Sequence, residues 1–141
     1  RLTEAITLYE QVLTDSTRIL VNNHPNTLRF RNNLAGAYRA AGRLTEAITL
    51  YEQVLPDSIR VLGEDHPDTL TSRNNLAYAY KSAGRLTEAI TLYEQVTKDR
   101  ARILGEDHPL TKTVRENLEA AKRELAQHKG ESSTEESAAQ D

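Results

Sequence analysis

The segment RLTEAITLYEQV occurs three times, at residues 1–12, 43–54 and 85–96, each copy 42 residues after the one before. A fixed period of this length marks a stacked-repeat architecture, in which each unit buries its apolar face only against its neighbours. Two further markers keep the same step. RNNLA stands at residues 31–35 and 73–77 and becomes RENLE at 115–119, and His-Pro stands at His24-Pro25, His66-Pro67 and His108-Pro109. Composition agrees with an array. Only 38% of the 141 residues are hydrophobic, with one Phe and neither Trp nor Met, which is thin for one central core and enough for contacts between stacked units.

Both halves of the period read as helix. In the second copy, Leu44, Ala47, Ile48, Tyr51, Val54, Leu55, Ile59 and Leu62 fall three and four apart, one apolar stripe at a period of 3.6. In the other half Leu70, Leu76, Ala77, Tyr80 and Ala83 do the same, and period-two alternation is absent. Pro25, Pro67 and Pro109 suit the first helical position, where a missing N–H costs nothing, and Asp68 suits the first turn, where the helix dipole favours an anion. Gly42 and Gly84 suit the turn inside each hairpin, Gly63 and Gly105 the residue that ends the second helix. The spacing therefore predicts six helices, over 1–21, 25–41, 43–62, 67–83, 85–104 and 109–128, in units 1–42, 43–84 and 85–128. Pro56 predicts a kink near Leu55–Asp57, because it removes the bond to the Glu52 carbonyl. The polar, acidic, Ser-rich stretch 129–141 is expected to be disordered.

Several classes of function are disfavoured. The formal charge is −3, with Glu131, Glu135, Glu136 and Asp141 in the tail, so the body is nearly neutral and lacks the footprint of a nucleic-acid or anionic-membrane binder. No cysteine is present, which removes disulfides, thiolate metal sites and a Cys nucleophile. No apolar run reaches the roughly 20 residues of a membrane span. No catalytic constellation or Gly-rich phosphate loop is visible, and carboxylates such as Glu46, Glu52 and Asp57 read as polar helix faces. His24, His66 and His108 recur one per repeat. Stacked helices lie about 8–10 Å apart, too far for one metal ion, so these histidines read as turn and cap residues. The expectation is no enzyme, no cofactor and no metal, and a cytoplasmic protein. The chain starts inside a repeat and without Met, so it reads as a piece of a longer one.

The series Leu76, Ala77, Tyr80, Gly84, Leu86, Ala89, Tyr93 and Val96, and its earlier copy Leu34, Ala35, Tyr38, Gly42, Leu44, Ala47, Tyr51 and Val54, resembles the tetratricopeptide repeat in order and spacing. The resemblance covers residues 1–128. The 42-residue form with Asn-Asn-Leu-Ala and His-Pro is similar to that of kinesin light chains and of bacterial arrays attached to signalling nucleotide-binding proteins. It implies an all-α, right-handed superhelical solenoid of antiparallel helix pairs. It also implies a concave groove, lined by the A helices 25–41, 67–83 and 109–128, that binds a peptide or protein. Residues 1–21 then form a B helix, and the last A helix is a cap, because Glu119 and Lys122 replace Ala77 and Tyr80.

The leading groove candidates are Asn32, Asn33, Asn74 and Asn75. Asn is a poor mid-helix residue, and its side chain offers the donor and acceptor that grip an extended backbone. The alternative is that Asn33 and Asn75 bridge helices or meet solvent, and this alternative is favoured for Asn117. Arg31, Arg73, Arg39 and Lys81 are expected either to make the groove basic, and so attractive to an acidic partner, or to form a solvated face. Tyr78, and Gly36 at the same place one repeat earlier, read either as an aromatic contact beside a gap for a partner side chain or as drift. The family's carboxylate clamp is incomplete, with Asn32 and Gly36, Asn74 and Tyr78, and Thr113 and Asn117 at its positions. Helix 1–21 has no A helix before it, so Leu2, Ala5, Ile6 and Tyr9 are expected to form an exposed apolar patch. That patch predicts an upstream repeat or a homo-oligomer through this end.

Overall fold

The computed structural model describes residues 1–19 and 24–139. Among them are six helices and no strand: α1 (Leu2–Ile19), α2 (Pro25–Ala40), α3 (Leu44–Leu62), α4 (Pro67–Ser82), α5 (Leu86–Leu104) and α6 (Pro109–Ala138). Each helix packs against the next along the chain, and α2 also touches α4. This is an all-α helical-repeat fold, as the 42-residue period predicts. The expected end of α1 at residue 21 lies outside the described residues.

The repeat markers act at the helix ends. His24, His66 and His108 are N-caps. Each Nδ1 accepts the second helical N–H, from Asn26 at 3.2 Å, Asp68 at 3.0 Å and Leu110 at 3.1 Å. That satisfies one of the donors that a helix start leaves open, while Pro at the next position removes another. Gly42 and Gly84 take φ of 77° and 78° in the hairpin turns, and Gly63 and Gly105 take 96° at the ends of α3 and α5. A Cβ would be strained at each of these four positions.

Small residues sit where the helices come closest. Ala35, Ala47, Ala77 and Ala89 are wholly buried, and Tyr51, Val54, Tyr93 and Val96 fill the space around them. Removing one such Val from water contributes about 1.5–3 kcal/mol. A polar tie joins α2 to α1 and α4 to α3. Tyr38 donates its hydroxyl to Glu10 at 2.6 Å, and Tyr80 to Glu52 at 2.8 Å. Arg43 and Arg85 stack on those two rings at 4.6 and 4.4 Å. In α6 the tie ends: Lys122, in the place of tyrosine, is exposed and pairs with the exposed Glu119 of its own helix. Its outer face therefore meets water, while Val114, Leu118 and Ala121 face inward.

Within each hairpin an ion pair joins the helices. Arg31 of α2 meets Asp57 of α3 at 2.8 Å, and Arg73 of α4 meets Asp99 of α5 at 3.1 Å. Arg73 is only 2% exposed. Asp57 and Glu52 thus do more than line a polar face.

α3 continues through Pro56 as one helix. Pro56 is exposed, so the Glu52 carbonyl that loses its donor lies on the wet side of the helix, where water replaces the bond. α6 continues to Ala138, where disorder was expected from residue 129. A helix already nucleated by packing extends cheaply, and Ser132, Ser133 and Thr134 bond back to carbonyls four residues earlier. The extension is exposed throughout, so it adds length without adding core.

Replacing Asp99 with Ala leaves the Arg73 guanidinium buried and unpaired. The expected loss is about 3–5 kcal/mol in urea unfolding. Asp65→Ala, which removes an exposed partner of Arg102, is expected to leave the urea midpoint nearly unchanged, because a solvent-screened pair contributes little. The tyrosines give a second test. Burial, then the bond to a glutamate, pushes the hydroxyls of Tyr38 and Tyr80 up to about 12, and burial pushes Tyr93 to about 12. Folding thus favours the neutral phenols. Their contribution is fully present below the ordinary tyrosine value of about 10 and is lost as pH rises toward 12. Thermal unfolding followed by circular dichroism should show Tm falling over that window, with tyrosinate absorbance appearing together with unfolding.

Candidate functional site

The A-helix positions that share one face are Asn32, Gly36 and Arg39 on α2, and Asn74, Tyr78 and Lys81 on α4. They are spaced by four and three residues, as neighbours on a helix surface must be. A pocket of about 240 Å³ opens between these two helices, lined by Arg29, Asn32 and Asn33 of α2 and Asp68, Thr71 and Asn75 of α4, with Ser58 of α3 also in its wall. Arg29 and Asp68 pair across it at 3.8 Å. The structure therefore brings Asn33 and Asn75 to one cavity, although they lie 42 residues apart in the chain.

The other asparagines behave differently. Asn32 accepts a hydrogen bond from the buried Ser72 hydroxyl at 2.7 Å, which ties α2 to α4. One repeat later Ser72 is replaced by Val114, and the buried Asn74 Oδ1 has no hydrogen-bond partner. A single substitution in the repeat has thus removed the donor from one of two equivalent acceptors.

Arg31 and Arg73 correct the expectation of a basic groove. They turn to Asp57 and Asp99 of their own hairpins, and their charge is compensated there. Arg39 stays with the groove. Its guanidinium lies over the Tyr78 ring at 4.5 Å, an arrangement worth about 0.5–1 kcal/mol at an exposed site, and Tyr78 keeps 44% of its surface exposed. Lys81 is half-buried. Beneath this face, the hydroxyls of Tyr51 and Tyr93 and the Arg39 Nε are buried without partners. A Cβ built on Gly36 would lie 3.6 Å from the Tyr51 hydroxyl, so the glycine leaves no side chain of its own against that buried polar atom.

The 42-residue register assigns Glu116 and Ala120 to the places of Asn74 and Tyr78, which corrects the pairing with Thr113 and Asn117. The α6 part of the face is therefore acidic at one of these positions, and the basic pair of a carboxylate clamp is missing there too.

The α1 patch is only partly open. Ile6 is 3% exposed, which corrects its place in a surface patch, because it packs in the α1–α2 interface. Leu2 is exposed at 45%, and Ala5 and Tyr9 are half-buried, whereas the counterparts Ala47, Tyr51, Ala89 and Tyr93 are fully covered. Leu8, 61% exposed, belongs to the same end of the molecule, whereas its copies Leu50 and Leu92 are half-buried against the core. Arg100 also escaped the sequence analysis. It is a buried arginine where the earlier copies carry Ser16 and Ser58, and the signal was that break in the repeat.

The chain is similar to several known proteins. A family model described as tetratricopeptide repeat matches residues 1–56 and 29–100. A kinesin light chain-like protein of Podosopora anserina, with nearly identical TPR-like repeats, superposes with a TM-score of 0.81 at 37% identity, over 85% of this chain and 57% of that one. BtubC (BKLC) from P. vanneervenii superposes with a TM-score of 0.78 at 25% identity, over 88% of this chain and 49% of that one. The chain thus spans about half the length of these relatives. No curated protein gives a match.

Gly36→Ala tests the local geometry. The added methyl meets the Tyr51 hydroxyl at ordinary contact distance, and Ala is the better helix former by about 0.5–1 kcal/mol. The variant is expected to be more stable by that amount in urea titration, and a loss of stability would show that the groove floor is tighter than this geometry allows.

Proposed function

We infer a partner-binding function from one premise: the chain belongs to the tetratricopeptide repeat family, whose repeats mediate protein–protein interaction. The working surface in this proposal is the face carried by α2, α4 and α6, and the partner is an extended segment of peptide or protein. The observation behind it is the shared pocket of Asn33 and Asn75. Two carboxamides at one cavity, each a donor and an acceptor, suit the repeating N–H and C=O groups of an extended main chain. Asn32 serves mainly to hold α2 on α4, and Arg39, Tyr78 and Lys81 continue the same surface toward the helix C-termini. Repeat scaffolds of this kind are typically non-enzymatic, and this proposal assigns no catalytic residue.

The test is an unbiased library of extended peptides, presented to the wild type and to an Asn33→Ala/Asn75→Ala variant of equal helicity. Peptides that bind the wild type and bind the variant at least about tenfold more weakly support the groove. Equal binding by both, or no binding at all, rejects it.

A second proposal rests on the exposed side of α1. Leu2, Leu8 and the half-covered Tyr9 offer apolar area to a second copy of the chain. Leu2→Glu with Tyr9→Glu should abolish any concentration-dependent increase in solution mass, and a wild type that stays monomeric over the whole range rejects self-association. Ile6→Glu is unsuitable here, because it would disturb the α1–α2 packing.

A further inference from the structure

Two charged side chains are buried among the described residues, Arg73 and Arg100. Arg73 has Asp99. Arg100, 7% exposed, has no ion pair or hydrogen bond to a side chain, and burial alone lowers its pKa, with no opposing charge close enough to offset it. A guanidinium largely withdrawn from water without a counter-charge carries a desolvation cost. Nothing in α5 requires it, since the same position holds Ser16 and Ser58 in the other repeats.

The place of that position in the fold is known from its earlier copy. Ser58 is buried, stands in the wall of the α2–α4 pocket, and accepts a 3.4 Å hydrogen bond on its carbonyl from the Thr69 hydroxyl in the first turn of α4. One repeat later, Arg100 occupies the corresponding place between α4 and α6. The asparagines that share the first pocket, Asn33 and Asn75, correspond there to Asn75 and Asn117. α4 and α6 also touch less than α2 and α4 do.

We propose that the cleft between α4 and α6 is a seat for a carboxylate side chain of the bound peptide, with Arg100 at its base and Asn75 at its rim. This deepens the groove proposal and rests on it. The planar guanidinium presents a fork of N–H donors that matches a carboxylate in two parallel bonds. In the free protein the unpaired charge destabilises the fold, and the incoming carboxylate removes that penalty. The partner is therefore an extended peptide that carries Asp or Glu in register with the third unit. The α2–α4 pocket, with Ser58 in its wall, takes an uncharged stretch.

The proposal is tested with two pools of extended peptides, one with a fixed central Glu and the other with Gln in its place, bound to the full chain and to Arg100→Ser. Serine is the residue of the other repeats, so the variant is expected to fold. The wild type should prefer the Glu pool by about tenfold or more, Arg100→Ser should lose that preference while still binding the Gln pool, and its Tm should rise. A preference that is absent, or that survives in Arg100→Ser, overturns the seat while leaving the groove intact. A lower Tm for Arg100→Ser also overturns it, because the guanidinium would then be holding the helices together. If neither pool binds the wild type, the groove itself is rejected and the seat with it.

Discussion

Close approach of helix to helix at alanine is the constraint on which the rest of this molecule depends. Ala35, Ala47, Ala77 and Ala89 have no exposed surface, and a larger side chain at any of them would separate neighbouring helices and open the packing around Tyr51 and Tyr93. Because cores are packed to the density of organic crystals, the small residue and the large one beside it form a single device, repeated every 42 residues. The polar ties, Tyr38 to Glu10 and Tyr80 to Glu52, reach their partners only because that approach is close. At the corresponding places in α6 stand Glu119 and Lys122, so the device is not repeated there.

The surface left over by this packing is where binding is proposed. Positions that hold the repeat together are nearly invariant between copies, whereas positions that face the cleft differ: Gly36 against Tyr78, Ser58 against Arg100, Ser72 against Val114. Each difference leaves a physical trace. Gly36 sets no side chain against the buried Tyr51 hydroxyl, Val114 leaves Asn74 without its donor, and Arg100 carries an uncompensated charge. Such costs are seldom needed for folding.

Much of the fold was legible because its signals are local and periodic. Helix starts at His-Pro, turns at Gly42 and Gly84 and the apolar stripe of three and four all act within a few residues, so the chain alone suffices to read them. The asparagine pair was legible as unusual for its place in a helix. What each asparagine does was not, because Asn32 and Asn33 are adjacent in sequence yet differ by about 100° around the helix. One meets Ser72 and the other joins the pocket. Arg31 and Arg73 were misread for the same reason: a charge on a helix has no visible direction until the partner helix, with Asp57 or Asp99, is in place. Ile6 looked like surface because its covering helix, α2, comes after it in the chain rather than before.

The sequence by itself determined the period, the helices, their caps and the pairing of small and large residues that makes a stack, because these depend on backbone conformation and on contacts repeated in every unit. Only the tertiary structure decided which polar side chains compensate one another and which are left over. That outcome depends on distances between helices: two asparagines 42 residues apart meet at one cavity, one buried arginine finds an aspartate, and another, in a serine's place, finds none.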